Sequence, residues 1–446
     1  MPRRKPCARF ATPLACQVDY RPQLSVAVAL SMLRGPNAFM PIRDIPIWLD
    51  RFPKTRRPSH PRFKGDSETD VVVVGGGLTG CACAWSFANA RIRTVLLEAD
   101  TLGAAGTAQS AGLIREDFDA SFRDSVQAHG LRASRTMWEA MRRAALEMAA
   151  ALRRLEIRCD LGPCDFLTVA RGRSEMSRFL SREYQSRRDA GFDHSWVKPA
   201  ALKRETAIDG DGAIRTHGFS FDPYRACIGL AAAAIARGAT LYERSPVRRI
   251  RAGRKGVQIS TAGGTLKAAA VVIATSAPLQ DLRALRRHLR VSDTYAVVTA
   301  PLPAAVRREL GTRTSVALDT ETPPHTLRWL KDDRALYVGA DQPVVADRAR
   351  EKALVQRTGQ LMYELSVLYP PISGQPAESA WSARHYESVD GLPFVGLHRN
   401  FPRHLFAMAP GGHGAAFAWL AARLLLRQYQ EEPAKGDELF GFSRIL

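Results

Sequence analysis

Hydrophobic positions in this chain follow two periods, and their alternation sets out its elements. The run VVVV (Val71–Val74) is continuous and β-branched, as expected for a strand covered on both faces, and RTVLLE (Arg93–Glu98) reads as a second strand. An Ala-rich segment at helical spacing lies between them, so Asp70–Asp100 reads as a βαβ unit. From Ser121 to Leu155 apolar residues recur at helical spacing, with Gly130 the expected interruption, which predicts one or two long helices. DFLTVA (Asp165–Ala170) reads as a strand and Arg178–Phe192 as a helix. Further on, Asp222 begins a helix ended by Gly238, and Ala268–Ala277 is another buried strand. TYAVVTA and ALYVGA, between Val291 and Trp381, alternate as strands of a second sheet, and a last apolar helix follows the glycines at Gly411–Gly414.

Upstream of Asp70 the texture differs. Residues 41–69 carry Pro46, Pro53, Pro58 and Pro61 among arginines, which predicts an extended arm without regular helix or interior strand. Residues 1–40 are basic, with Asp19 their only acid, and read as a disordered basic extension with Met40 a candidate start.

Composition narrows the class. An apolar share of 46% and a charged share of 24% over 446 residues are those of an ordinary globular protein and exclude disorder of the whole chain. The net charge of +20 suits nucleic acid or an anionic membrane surface, but arginine is spread along the whole chain and no nucleic-acid-binding signature occurs, so no nucleic-acid partner is expected. Seven cysteines without a framework spacing point to a reducing, cytoplasmic setting, and Cys159 and Cys164 lack the second pair a zinc site needs, so no metal is expected. Apolar runs are too short for a transmembrane helix.

The candidate chemistry starts at GGGLTG. Gly75, Gly77 and Gly80 supply the G-x-G-x-x-G spacing, with Gly76, Leu78 and Thr79 between them: one glycine for the turn, one for close approach to a pyrophosphate, one for packing the helix on the strand. The helix starting near Leu78 turns its amides and positive dipole end toward phosphates. Glu98, followed by Ala99, ends the next strand about twenty residues on, where a carboxylate accepts ribose hydroxyls and disfavours a 2′-phosphate. NAD and FAD both remain open on these residues.

Several separated motifs, in order, resemble the D-amino-acid-oxidase-like family of FAD-dependent oxidoreductases, from Asp70 to Leu446. VVVVGGGLTG with LLEAD is the first. GTAQSAGLIR is similar to the family's small-residue loop beside the flavin, which puts Gly106, Thr107, Ser110, Ala111 and Gly112 at the cofactor. FDPYRACIGLAAAAIARGA with PVRRI follows, where the resemblance sets the backbone of Val247 against the adenine, and VVIATSAPLQDL brings Ala274 near the cofactor. LRWLKDDRALYVGAD resembles a strand pair of the substrate domain, and DGLPFVG with GGHGAAFAWLAARLL resembles the closing flavin segment, with Gly411, Gly412, His413 and Gly414 at the ring.

The resemblance implies an α/β (α+β) fold: a Rossmann-like FAD-binding domain (70–115, 216–290 and 385–446) and a discontinuous substrate domain on a mainly antiparallel sheet (116–215 and 291–384). It implies oxidation of a C–N bond of an amino acid or small amine by hydride transfer to flavin, with oxygen or an electron carrier taking the electrons. Gln109 stands where some relatives attach FAD through a His, and no Cys occurs after Cys227, so noncovalent FAD is expected. Arg328 aligns with a substrate-carboxylate arginine, with Lys331 and Arg334 close by, and His413 is a candidate for flavin contact or proton transfer. Arg115 and Tyr386 are weaker substrate-side candidates. Two alternatives stand beside this reading: a peripheral-membrane flavin dehydrogenase passing electrons to quinone or a carrier protein, and a non-enzymatic nucleic-acid-binding or regulatory protein.

Overall fold

Val71–Val74, at 0–4% exposure, form the centre of an eight-stranded sheet. The computed structural model describes residues 42–171, 174–321 and 324–445, so the basic extension, Met40, Cys7 and Cys16 lie outside the described residues. In this sheet Phe401–Met408, Thr265–Ser276, Ser67–Val74, Thr94–Leu97 and Thr240–Tyr242 run parallel in that spatial order. Such strands need cover on both faces. The helices Leu78–Asn89, Pro223–Ala236 and Gly414–Tyr429 join one core with one face, where Trp85 stacks on Trp419 at 5.2 Å. Phe63, Phe394, Phe406 and Phe442 belong to the core on the other.

A ten-stranded, mainly antiparallel sheet stands beside it. Leu289–Thr299 pairs antiparallel with both Ala377–Ser388 and Ala335–Pro343. Because side chains alternate, Tyr295 and Val297 face the helix Arg350–Leu368 through Leu361 and Leu365. Ala296, Val298 and Trp381 face the other way, toward Trp48, Ala108 and Tyr224. The same alternation sends His385 to the Trp381 side and Tyr386 to the opposite one.

Gly130, at φ +83°, breaks the long helical stretch into Phe122–His129 and Leu131–Arg154. The arm differs from expectation. It carries a strand (Arg43–Asp44), a helical turn (Ile47–Asp50) and a 3-10 turn (Lys54–Arg56), and the first long strand starts at Ser67. Ile47, Trp48 and Phe63 are buried at 2–3% exposure. Pro46 and Pro53 stand at the N-caps of these two turns with extended backbone, so prolines that read as helix breakers lie just outside the turns, where a missing N–H costs nothing and their carbonyls accept the amides of Asp50 and Arg56. Among the described residues no helix is long and apolar enough to cross a membrane.

Candidate active site

The glycine motif turns at the C-terminal end of the central strand. Gly75 has φ +106°, and a Cβ there would lie 2.7 Å from the carbonyl oxygen of Ala274; one on Gly80 would lie 1.8 Å from the carbonyl oxygen of Gly75. Backbone therefore occupies the space that side chains would need. Gly77 caps the helix Leu78–Asn89 without a side-chain bond, and among the described residues the amides of Gly77, Thr79 and Gly80 have no protein partner. A helix start with amides left open in this way fits a pyrophosphate. Glu98 stands at the end of its strand, accepting from the amides of Gly76 (2.5 Å) and Asp100 (2.9 Å), with Ala99 exposed beside it.

The second motif meets the first. Gly106–Gln109 forms a short helical turn, and Thr107 Oγ1 accepts the amide of Leu78 at 2.9 Å. Trp381 Nε1 donates to the carbonyl of Gln109 at 3.0 Å and Trp48 Nε1 to that of Ser110 at 2.8 Å. Val247 is half-buried beyond the strand Thr240–Tyr242, against the same core as Leu97.

At the far end of the chain, His413 is buried at 3% exposure between two carboxylates. Its Nε2 lies 2.8 Å from Asp119 Oδ1 and its Nδ1 3.5 Å from Asp117 Oδ1. Asp119 also accepts the amide of Gly412 at 2.8 Å, so that amide already has a protein partner, while Asp117 takes a bond from Arg115 at 2.8 Å. Removal from water raises the Asp119 carboxyl, but His413, His385 and the Gly412 amide outweigh it and hold it down at about 2. Burial acts likewise on Asp117, where Arg115, His413 and Arg187 hold the carboxyl well below the usual range.

Arg328 lies on the strand Thr326–Trp329, buried at 7% exposure. Its Nη1 donates to the carbonyls of Ala111 (2.7 Å), Gly112 (2.8 Å) and Phe221 (2.9 Å), and burial pulls the guanidinium down to about 10. Arg334 pairs with Glu378 and Asp332, and Arg115 with Asp117. Tyr386 lies on the sheet face turned away from Trp381, and burial raises its hydroxyl. Among the described residues no His, Cys, Asp and Glu cluster is arranged for a metal.

The model of the DAO family, FAD dependent oxidoreductases, matches residues 70–428. The chain belongs to this family. Glycine oxidase of Geobacillus kaustophilus is 29% identical over 364 residues, covering 77% of this chain and 87% of that protein. Gamma-glutamylputrescine oxidoreductase of Escherichia coli is 26% identical over 373 residues, covering 82% and 85%. Of solved structures, G. kaustophilus glycine oxidase aligns with a TM-score of 0.67 at 23% identity, over 84% of this chain and 98% of that one. L-proline dehydrogenase from P. horikoshii aligns with a TM-score of 0.69 at 17% identity, over 85% and 98%. The chain is thus an FAD-dependent oxidoreductase with the α/β architecture its motifs implied.

Four participants escaped the sequence reading: Trp48, Trp381, Asp117 and Asp119. The acids had a local signal, REDFD, a carboxylate cluster directly after a short strand in an arginine-rich chain. The tryptophans had none, since each meets the loop only through tertiary packing.

Proposed function

We propose that this chain oxidises a C–N bond of an amino acid or small amine, using FAD held without a covalent link. The observation that carries the reading is a convergence at the end of the central strand: the carbonyl of Ala274 packs over Gly75, and Thr107 bonds the first amide of the glycine-motif helix. Ligands bind at this end of open parallel sheets. Bound there, FAD supplies a two-electron acceptor for the C–N bond.

The protein's own residues bind and orient. The amides of Gly77, Thr79 and Gly80, without a partner among the described residues, face the pyrophosphate position, and Glu98 keeps lone pairs beyond its two backbone bonds for ribose hydroxyls. Val247 and the loop Gly106–Gly112 complete the cofactor contacts, and the turn Gly411–Gly414 lies at the ring. His413, with both ring nitrogens facing carboxylates, stands in that turn as the candidate for flavin contact or proton transfer. A substrate carboxylate at Arg328 would have to use Nε and Nη2, since Nη1 already serves three carbonyls. Of the two curated relatives, one is named for an amino acid and the other for an amine, which supports this substrate class. Gln109 in the flavin loop, and no cysteine after Cys227, support the noncovalent link. The described cysteines, all free thiols, suit a cytoplasmic site of action.

An anaerobic screen of amines and amino acids against the purified yellow protein tests this. Bleaching of the flavin bands by one class names the substrate, and recolouring on admission of air assigns oxygen, not a carrier, as acceptor. A protein that binds no FAD refutes the proposal.

A further inference from the structure

Four consecutive carbonyls of the Gly106–Gly112 loop are held by side chains from three other elements. Trp381, on the strand Ala377–Ser388, bonds Gln109; Trp48, on the turn Ile47–Asp50, bonds Ser110; Arg328, on the strand Thr326–Trp329, bonds Ala111 and Gly112. Two of the three donors also support each other, with the Arg328 guanidinium 4.8 Å from the centroid of the Trp48 ring. Trp381, Trp48 and Arg328 are 1%, 3% and 7% exposed, so each donor would be costly to leave unpaired.

The fit depends on Gly112. Its φ is +70°, and a Cβ would fall 2.4 Å from Arg328 Nη1 and from the carbonyl oxygen of Phe221. Carbonyls tied in this way leave amides to offer elsewhere. Among the described residues the amide of Ala111 has no protein partner, and that of Gly112 reaches only Ser110 Oγ at 3.4 Å.

We propose that Trp48, Trp381 and Arg328 are positioning residues for FAD, a three-sided clamp that presets the Gly106–Gly112 loop to receive the flavin. The proposal rests on the reading that this loop lies beside the flavin. It makes the segment upstream of Asp70, through Trp48, part of the cofactor site. Arg328 acts here through backbone, by one guanidinium nitrogen held in place by the stacking of the planar group on Trp48, which a lysine cannot reproduce.

The test titrates FAD into cofactor-free protein and records the visible spectrum of the bound flavin. Trp48→Phe and Trp381→Phe keep an aromatic ring and lose the N–H, and Arg328→Lys keeps the charge and loses the planar guanidinium. Each is expected to weaken FAD binding about tenfold, the effect of about one hydrogen bond, and to blur the structure of the flavin band. Trp85→Phe is the control, because the indole N–H of Trp85 has no partner among the described residues; it leaves affinity within about twofold. Unchanged affinity and spectrum in all three clamp variants, with wild type binding FAD, overturns the clamp and leaves the cofactor reading intact. An equal loss in Trp85→Phe also overturns it, as general destabilisation. Wild type that takes up no FAD refutes the underlying reading instead. Limited proteolysis of cofactor-free wild type adds an arm free of mutations: the loop is expected to resist cleavage, and a cut within it overturns the presetting.

Discussion

Thr107 Oγ1 accepts the amide of Leu78 at 2.9 Å, so the loop motif caps the first turn of the glycine-motif helix. The bond settles one of the helix's orphan donors and leaves neighbouring ones for a ligand. Thr107→Val keeps the shape and strands that amide. We expect a loss of about 1 kcal/mol in stability and several-fold weaker FAD binding, read by thermal unfolding and FAD titration.

Asp119 faces His413, His385 and the Gly412 amide, and these hold its carboxyl down at about 2. A depressed acid contributes stability that is fully present above its ordinary pKa of about 3.9 and is lost as pH falls through the folded value. Wild type is therefore expected to unfold at higher temperature than Asp119→Asn above about pH 4, with the two converging toward pH 2. A difference that does not depend on pH would show that geometry, not charge, anchors the turn.

His325 shows the opposite sign on the outer face of the ten-stranded sheet. Its Nδ1 lies 2.8 Å from Asp319 and its Nε2 3.1 Å from Glu364, and its ring stacks on Tyr337 at 5.3 Å. Burial lowers its pKa, but the hydrogen bond to Asp319 and the nearby charge of Glu364 outweigh that and raise it to about 10. A raised base contributes fully below its ordinary value of about 6.5 and fades as pH climbs through the folded one. The advantage of wild type over His325→Gln, on the order of 3 kcal/mol, should be complete at pH 6 and shrink steadily toward pH 10 in urea unfolding.

Acid precipitation addresses the link to FAD. The yellow colour should pass wholly into the supernatant; colour retained in the washed pellet would mean a covalent bond.

Local pattern carried the reading where structure is local. The Val71–Val74 run and the spacing of Gly75 and Gly80 announced a buried strand and a tight glycine turn, because period and steric need are both written in neighbouring residues. Prolines misled in the arm, since a residue that cannot continue a helix can still stand directly before one, as at Pro46. Trp381 and Gln109 are 272 positions apart, Gly412 and Asp119 293, and nothing in either neighbourhood encodes the meeting. For Arg328, the resemblance suggested a substrate-side role, and the three carbonyls at its Nη1 became visible only with the fold.

The strand Arg43–Asp44 pairs with only Ser379 and Ala380, at the border of the ten-stranded sheet. Short as it is, it closes part of a row of peptide groups that would otherwise invite another chain to add a strand, and its charged residues discourage further growth. The consequence is a guard against self-association: shortening the chain past this point would leave a sticky border, and aggregation would then set how long the protein survives in solution.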